Sequence, residues 1–247
     1  MKIAVLGFFY FFINSMALSA ESDGLSFLDE NIKIGVGLSY SKLESNTLVG
    51  NYFLLSESNP RFEFSYLSPV VEHYRHKFTA YYKQEIFKVE NPSFVVKTHQ
   101  DQGSLTLGWQ PIWLSEDKVF NRYFKFSLKN SSVISELPDT FSLNGDIANR
   151  YELEAGVGFT WYALTVSKFP VGIEAEILYS QTLFDHSKIT YYNGFTYRFG
   201  IDFEFKKRTL FTGWGFRAFY EFSEIKNEFS QGVDKEIGLI LNKSFTF

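Results

Sequence analysis

The chain has 247 residues, with 28 acidic against 24 basic side chains for a formal charge of -4, and no cysteine. No Lys/Arg block argues for nucleic acid, and without cysteine there are neither disulfides nor the acylated residue of a bacterial lipoprotein, so stability must come from packing and backbone pairing. The hydrophobic fraction is 45%, with 29 Phe and 15 Tyr, yet these residues are dispersed and no linker divides the chain, which points to one large all-β domain.

Residues 1–20 differ from the rest. Lys2 supplies a positive start, Ile3 to Ile13 is apolar, and Ala17-Leu18-Ser19-Ala20 ends in small residues before Glu21. This reads as a secretory signal peptide cleaved after Ala20 or Ser19. Asn14 and Ser15 leave the run short of the about 20 apolar residues that span a bilayer as a helix. Residues 21–247 are expected to form a single domain. No later stretch approaches helical spanning length, so a membrane-spanning mature chain could only be a closed barrel.

Period-two alternation then dominates. In Asn31 to Lys42, Ile32, Ile34, Val36, Leu38 and Tyr40 share one face while Lys33, Gly35, Gly37, Ser39 and Ser41 share the other. A strand puts these sets into two different media, whereas a helix would scatter them. Weaker alternation marks Arg61 to Ser68, Glu72 to Lys88, Gln102 to Trp113 and Phe120 to Asn130. It is clean again in Arg150 to Tyr162, Pro170 to Gln181 and Asn193 to Lys206, and weaker in Thr209 to Phe222 and Lys235 to Phe247. That makes ten predicted strands, an even number that returns both termini to one side. Several exceed the about 9 to 11 residues a membrane strand needs.

The connections alternate in length. Leu43 to Pro60, Val89 to Asp101, Ser131 to Asn149, Thr182 to Thr190 and Ser223 to Asp234 are long or polar, while Pro69 to Val71, Leu114 to Val119, Ala163 to Phe169 and Lys207-Arg208 are short. Long external loops and short periplasmic turns are the asymmetry of a transmembrane antiparallel up-and-down β-barrel. A soluble β-sandwich also alternates, but its polar face is solvated; here the polar face carries glycines, hydroxyls and opposed charges, and the other face is aromatic. His76, Gln84, Arg122 and Lys243 fall on the predicted lipid face.

The chain ends Leu239-Ile240-Leu241-Asn242-Lys243-Ser244-Phe245-Thr246-Phe247. A final aromatic, a second one two residues earlier and apolar residues at further alternate positions resemble the C-terminal assembly signal of bacterial outer-membrane β-barrel proteins, with Lys243 where an apolar residue is common. The resemblance implies an outer-membrane location and assignment of Phe245 and Phe247 to the assembly signal. It also implies outer-membrane lipid and the barrel-assembly machinery as partners.

The predicted lumen face holds the candidate sites. Glu152, Glu154, Glu174, Glu176, Asp202 and Glu204 lie there with Arg198 and Arg217; across the ring come Arg75, Lys77, Lys83, Lys125 and Lys129. Such charges stay ionised in a low-dielectric interior only if paired or hydrated. They are expected to form a structural salt-bridge network, with Glu176 meeting Arg198; the alternative is a polar pathway for a small charged or zwitterionic solute. Asp185-His186-Ser187 is the one tempting catalytic triplet, but consecutive side chains diverge, so no catalytic residue is assigned. His73 and His76 point to opposite sides of a strand, no zinc spacing exists, and acidic Glu136, Asp139 and Asp146 read as a solvated loop. No metal or cofactor is expected. The resulting expectation is a monomeric ten-stranded barrel with a structural or surface-interaction role, then a narrow channel, then an outer-membrane hydrolase.

Overall fold

The structure, a computed structural model, describes residues 32–47, 50–56, 58–89, 101–116, 119–134, 147–166, 169–185, 190–205, 213–227 and 230–245. Its elements are β1 (Ile32–Thr47), β2 (Gly50–Ser56), β3 (Asn59–Leu67), β4 (Tyr74–Val89), β5 (Asp101–Leu114) and β6 (Phe120–Ile134). They continue with β7 (Ile147–Val166), β8 (Phe169–Asp185), β9 (Tyr191–Tyr192), β10 (Gly194–Glu204), β11 (Trp214–Asn227) and β12 (Ser230–Phe245). β2 and β3 both pair with β1 and β4, and β9 and β10 both pair with β11, so the twelve elements occupy ten positions in the wall. Every neighbour is antiparallel, and β1 pairs with β12 from Ile32↔Phe245 to Thr47↔Ser230, which closes the sheet.

The two faces of each strand have opposite polarity. On β1, Leu38 is 57% exposed while Ser39 beside it is 3% exposed. The same inversion runs round the wall: Phe124 and Phe126 on β6, Val157 and Phe159 on β7, and Phe199 and Ile201 on β10 face out. Lys125, Ser127, Glu154, Glu176 and Arg198 are buried inside. So large an apolar exterior is untenable in water, whereas lipid suits it, and a closed ladder pairs backbone groups from strand to strand all the way round the wall. This is the predicted architecture, an antiparallel up-and-down barrel of the outer-membrane kind with a polar interior. Both ends of the described chain, Ile32 and Phe245, lie at one rim, the rim of the short turns, which in bacterial outer-membrane barrels face the periplasm.

Strand boundaries differ from the sequence reading at most of the predicted connections. The predicted external loop from 43 to 60 is largely strand: β1 runs to Thr47 and pairs with β2 as far as Thr47↔Gly50. β7 reaches 20 residues and β11 extends to Asn227. Alternation fades in these stretches, but backbone pairing does not need an apolar face to continue.

Two inward aliphatic residues are seated by glycine. Leu178 and Ile240 are each 1% exposed; a Cβ at Gly156 would fall 2.7 Å from the Leu178 Cα, and one at Gly37 would fall 2.8 Å from the Ile240 Cα. The glycines on the lumen face thus leave room for the neighbouring strand's side chains.

Candidate functional site in the barrel lumen

Side chains from almost every strand converge inside the barrel. Arg198, on β10, is the hub. Its Nε donates to Glu221 Oε2 at 2.6 Å and its Nη2 to Glu221 Oε1 at 3.3 Å, a two-pronged pair across the β10–β11 ladder where the residues face each other. Glu176 Oε2 lies 3.5 Å from Nη1 and Glu154 Oε2 lies 3.7 Å from Nη2. The same Nη2 donates to the Tyr81 hydroxyl at 3.2 Å. Tyr81 is on β4, five positions from β10 in either direction round the ring, so this contact spans the lumen.

Glu176 has its main cation elsewhere. Lys125 Nζ donates to its two oxygens at 3.0 and 2.8 Å, and Gln110 Nε2 donates to Oε1 at 3.2 Å. The Tyr123 hydroxyl lies 2.9 Å from both Glu176 Oε1 and Glu174 Oε1, poised to donate its single proton to either. Glu174 is paired to Arg217, whose other nitrogens lie 3.7 Å from Glu63 and 4.0 Å from Asp202. Arg61 links Glu63 at 2.9 Å to Glu236 at 3.2 Å, and Lys83 completes that end at 2.9 Å from Glu236. The Arg61 guanidinium is sandwiched 4.4 Å from the Tyr81 and Phe219 ring centres, which shields it while adding cation–π attraction. Towards the outer rim, Lys129 lies 3.9 Å from Glu152 and 4.0 Å from Glu154, and Arg150 pairs with Glu152. Ser127 and Ser131 donate to Glu154 and Glu152 at 2.8 and 3.1 Å.

The result is one connected network of alternating sign. A cavity of about 90 Å³ remains beside it, lined by Lys33, Lys77, Glu174, Asp202, Arg217 and Asn242 among others. Compact small-molecule pockets start near 300 Å³, so this space suits a few waters or a small ion. Nearer the periplasmic mouth the character changes: Ile112, Leu114 and Tyr123 pack with Leu67 and Val70 into an apolar cluster.

Of the residues singled out from sequence, Glu152, Glu154, Glu174, Glu176, Arg198, Asp202, Arg217, Lys83, Lys125 and Lys129 face the lumen within this network. Arg75 is buried on the same face of β4, and Lys77 borders the cavity. Glu204 ends β10, and its side chain lies outside the described residues. Sequence reasoning missed Arg61, Glu63, Glu221 and Glu236, although all four sit at lumen-facing positions of predicted strands. It also missed Tyr81, Tyr123 and Gln110; inward tyrosines carry no parity signal distinguishing them from lipid-facing ones.

On the outer surface Phe245 is 39% exposed and faces lipid, while Phe247 lies outside the described residues. His76 and Arg122 do project outward, as their parity requires. The histidine is accommodated because its Nδ1 accepts the Trp109 indole N–H at 3.1 Å. Asp185 ends β8, whereas His186 and Ser187, His99, the 135–146 segment and the predicted signal peptide lie outside the described residues. Among the described residues no cluster of His, Asp or Glu could hold a metal.

No family model matches the chain, and no curated protein matches it. Among solved structures it is similar to an outer-membrane channel from Pseudomonas putida F1 at 10% identity, covering 91% of this chain and 100% of that one with a TM-score of 0.49. It is similar to the translocator domain of autotransporter NalP from Neisseria meningitidis at 9% identity, covering 96% of each chain with a TM-score of 0.47. It is also similar to the outer-membrane protease OmpT from Escherichia coli at 11% identity, covering 91% and 100% with a TM-score of 0.44.

Proposed function

We propose that this chain is an occluded outer-membrane barrel, with a structural role in the envelope or a role exercised through its outer end, in which the lumen charges serve stability. The carrying observation is the contact from Arg198 to Tyr81 across the full ring of strands, within a network where Arg198, Glu176 and Glu154 are all buried. An open pathway would keep these groups hydrated; here they satisfy one another. Purified barrel inserted into planar bilayers should give no discrete conductance steps, and steady single-channel steps from the wild type would overturn the proposal.

The second reading is a narrow route for small charged solutes. It is favoured by the cavity of about 90 Å³, whose lining includes the cations Lys77 and Arg217 and the carboxylates Asp202 and Glu174. Under that reading Arg217→Gln changes ion selectivity while leaving the fold intact. A hydrolase would instead be revealed by peptide or lipid turnover by the purified barrel.

A further inference from the structure

Within its apolar outer wall, the described outward surface of the barrel carries no carboxylate, although acidic residues outnumber basic ones 28 to 24 in the chain. Its full charges there are Arg122 on β6 and Lys243 on β12, both near the periplasmic rim. Lys243 lies 5.5 Å from the centre of the Trp214 ring. Arg122 has no comparable partner: it is exposed, and among the described residues no carboxylate or hydrogen-bond acceptor engages it.

Its surroundings are built. Arg122 faces Trp113 across the β5–β6 ladder and Phe159 across the β6–β7 ladder. Phe120 and Phe124 precede and follow it on the same face of its own strand. Trp113 meets Phe124 edge-on at 5.5 Å, and Phe120 stacks on Phe159 at 5.4 Å, so ring pairs stand on both sides of Arg122 in the ladder. A cation facing lipid costs about 2–4 kcal/mol at the bilayer midplane but only about 0–1 near an interface, and Arg122 stands two residues from the end of its strand at the rim. From there its stem lies on apolar surface while its head reaches the polar layer. The planar fork matches two oxygens of a phosphate.

We propose that Arg122, framed by the Trp113–Phe124 and Phe120–Phe159 ring pairs, is a binding site for the phosphate of a phospholipid in the periplasmic leaflet. The site rests on the barrel spanning the membrane with its termini on the periplasmic side, and is independent of whether the lumen conducts. The rings receive the glycerol and upper acyl region, and the guanidinium donates to the phosphodiester.

Native mass spectrometry of the folded barrel released from detergent, with added phosphatidylglycerol, tests it. The wild type should retain one more phosphatidylglycerol than Arg122→Gln, whose occupancy falls by about tenfold, the loss expected for one charge-assisted hydrogen bond. Arg122→Lys should recover part of it, and Lys243→Gln should leave it unchanged. Heat-modifiable gel mobility verifies that each variant is folded. Equal retention by wild type and Arg122→Gln, equal retention of diacylglycerol, or displacement by millimolar inorganic phosphate would each overturn the lipid site. Orientation is read separately: Glu116→Cys, in the hairpin below Arg122, should react with an impermeant maleimide only after the outer membrane is opened. Labelling in intact cells would overturn the leaflet assignment, whatever the lipid result.

Discussion

The middle of the lumen and its periplasmic mouth are both filled, but by opposite means. Around Arg198 the filling is charge, each ion held by neighbours of the other sign from as many as three strands. Around Ile112, Leu114 and Tyr123 it is apolar packing, with Tyr123 belonging to both because its hydroxyl reaches Glu174 and Glu176. The difference teaches where the barrel is brittle. Removing one member of the charged group strands another, whereas trimming the apolar cluster loses contacts in proportion to what is removed.

The largest effect should come from the middle. Arg198→Gln leaves Glu221 and Glu154 short of a cation and should cost about 3–5 kcal/mol, the scale for breaking a buried pair, measured by denaturant unfolding in detergent. Double-mutant cycles should show stronger coupling of Arg198 to Glu221 than to Glu176, since Glu176 keeps Lys125 at 2.8 Å. Equal couplings, or strict additivity, would mean that the network is not organised around Arg198.

At the mouth, Ile112→Ala should cost about 2–4 kcal/mol as a cavity in packed surroundings, and should not couple to Arg198→Gln. Significant coupling would erase the distinction between the two regions. The outer wall supplies a third contrast: Leu38→Arg places a charge in the apolar belt and should cost about 2–4 kcal/mol. The same substitution at exposed Phe120, at the rim, should cost less by thermal gel shift.

The smallest effect belongs above the bilayer. Glu44 is held by Lys235 and Lys42, each at 3.0 Å, and its carboxyl lies below the ordinary range because of the hydrogen bond from Lys235 first and that from Lys42 second. A carboxyl lowered on folding stabilises the fold above its unfolded pKa, and that contribution is lost as pH falls through the folded value. The group is solvent-screened, so Glu44→Gln should cost only about 0.5 kcal/mol at neutral pH. The difference from wild type should vanish in strong acid. A loss as large as that of Arg198→Gln would show that the exposed triad matters to stability as much as the lumen does.

Much of this was legible in sequence because parity is robust. Once Ile34, Val36 and Leu38 define the outside of β1, Lys33 and Ser39 must be inside, and the same logic placed Glu174, Glu176 and Arg217 correctly. Pair identity was less legible. Glu176 and Arg198 do face each other in the β8–β10 ladder, yet each has a closer partner, because side-chain reach decides among several carboxylates at one height. The contact from Arg198 to Tyr81 depends on how strands five positions apart are staggered, and no local pattern encodes that. Arg122 falls on the lipid face by parity, and its place near the end of β6 at the rim is a quantity that alternation alone does not supply.

The seam between the first and last strands has one more consequence. β1 and β12 are zipped over all sixteen residues of β1, and the pairing runs on above Tyr40↔Ile237, where the apolar belt ends, to Thr47↔Ser230. A lateral gate, through which a barrel releases cargo sideways into the bilayer, needs a short or frayed seam that parts at low cost. Here opening would expose two long rows of backbone donors and acceptors to lipid, so this seam is held shut along the whole length of β1.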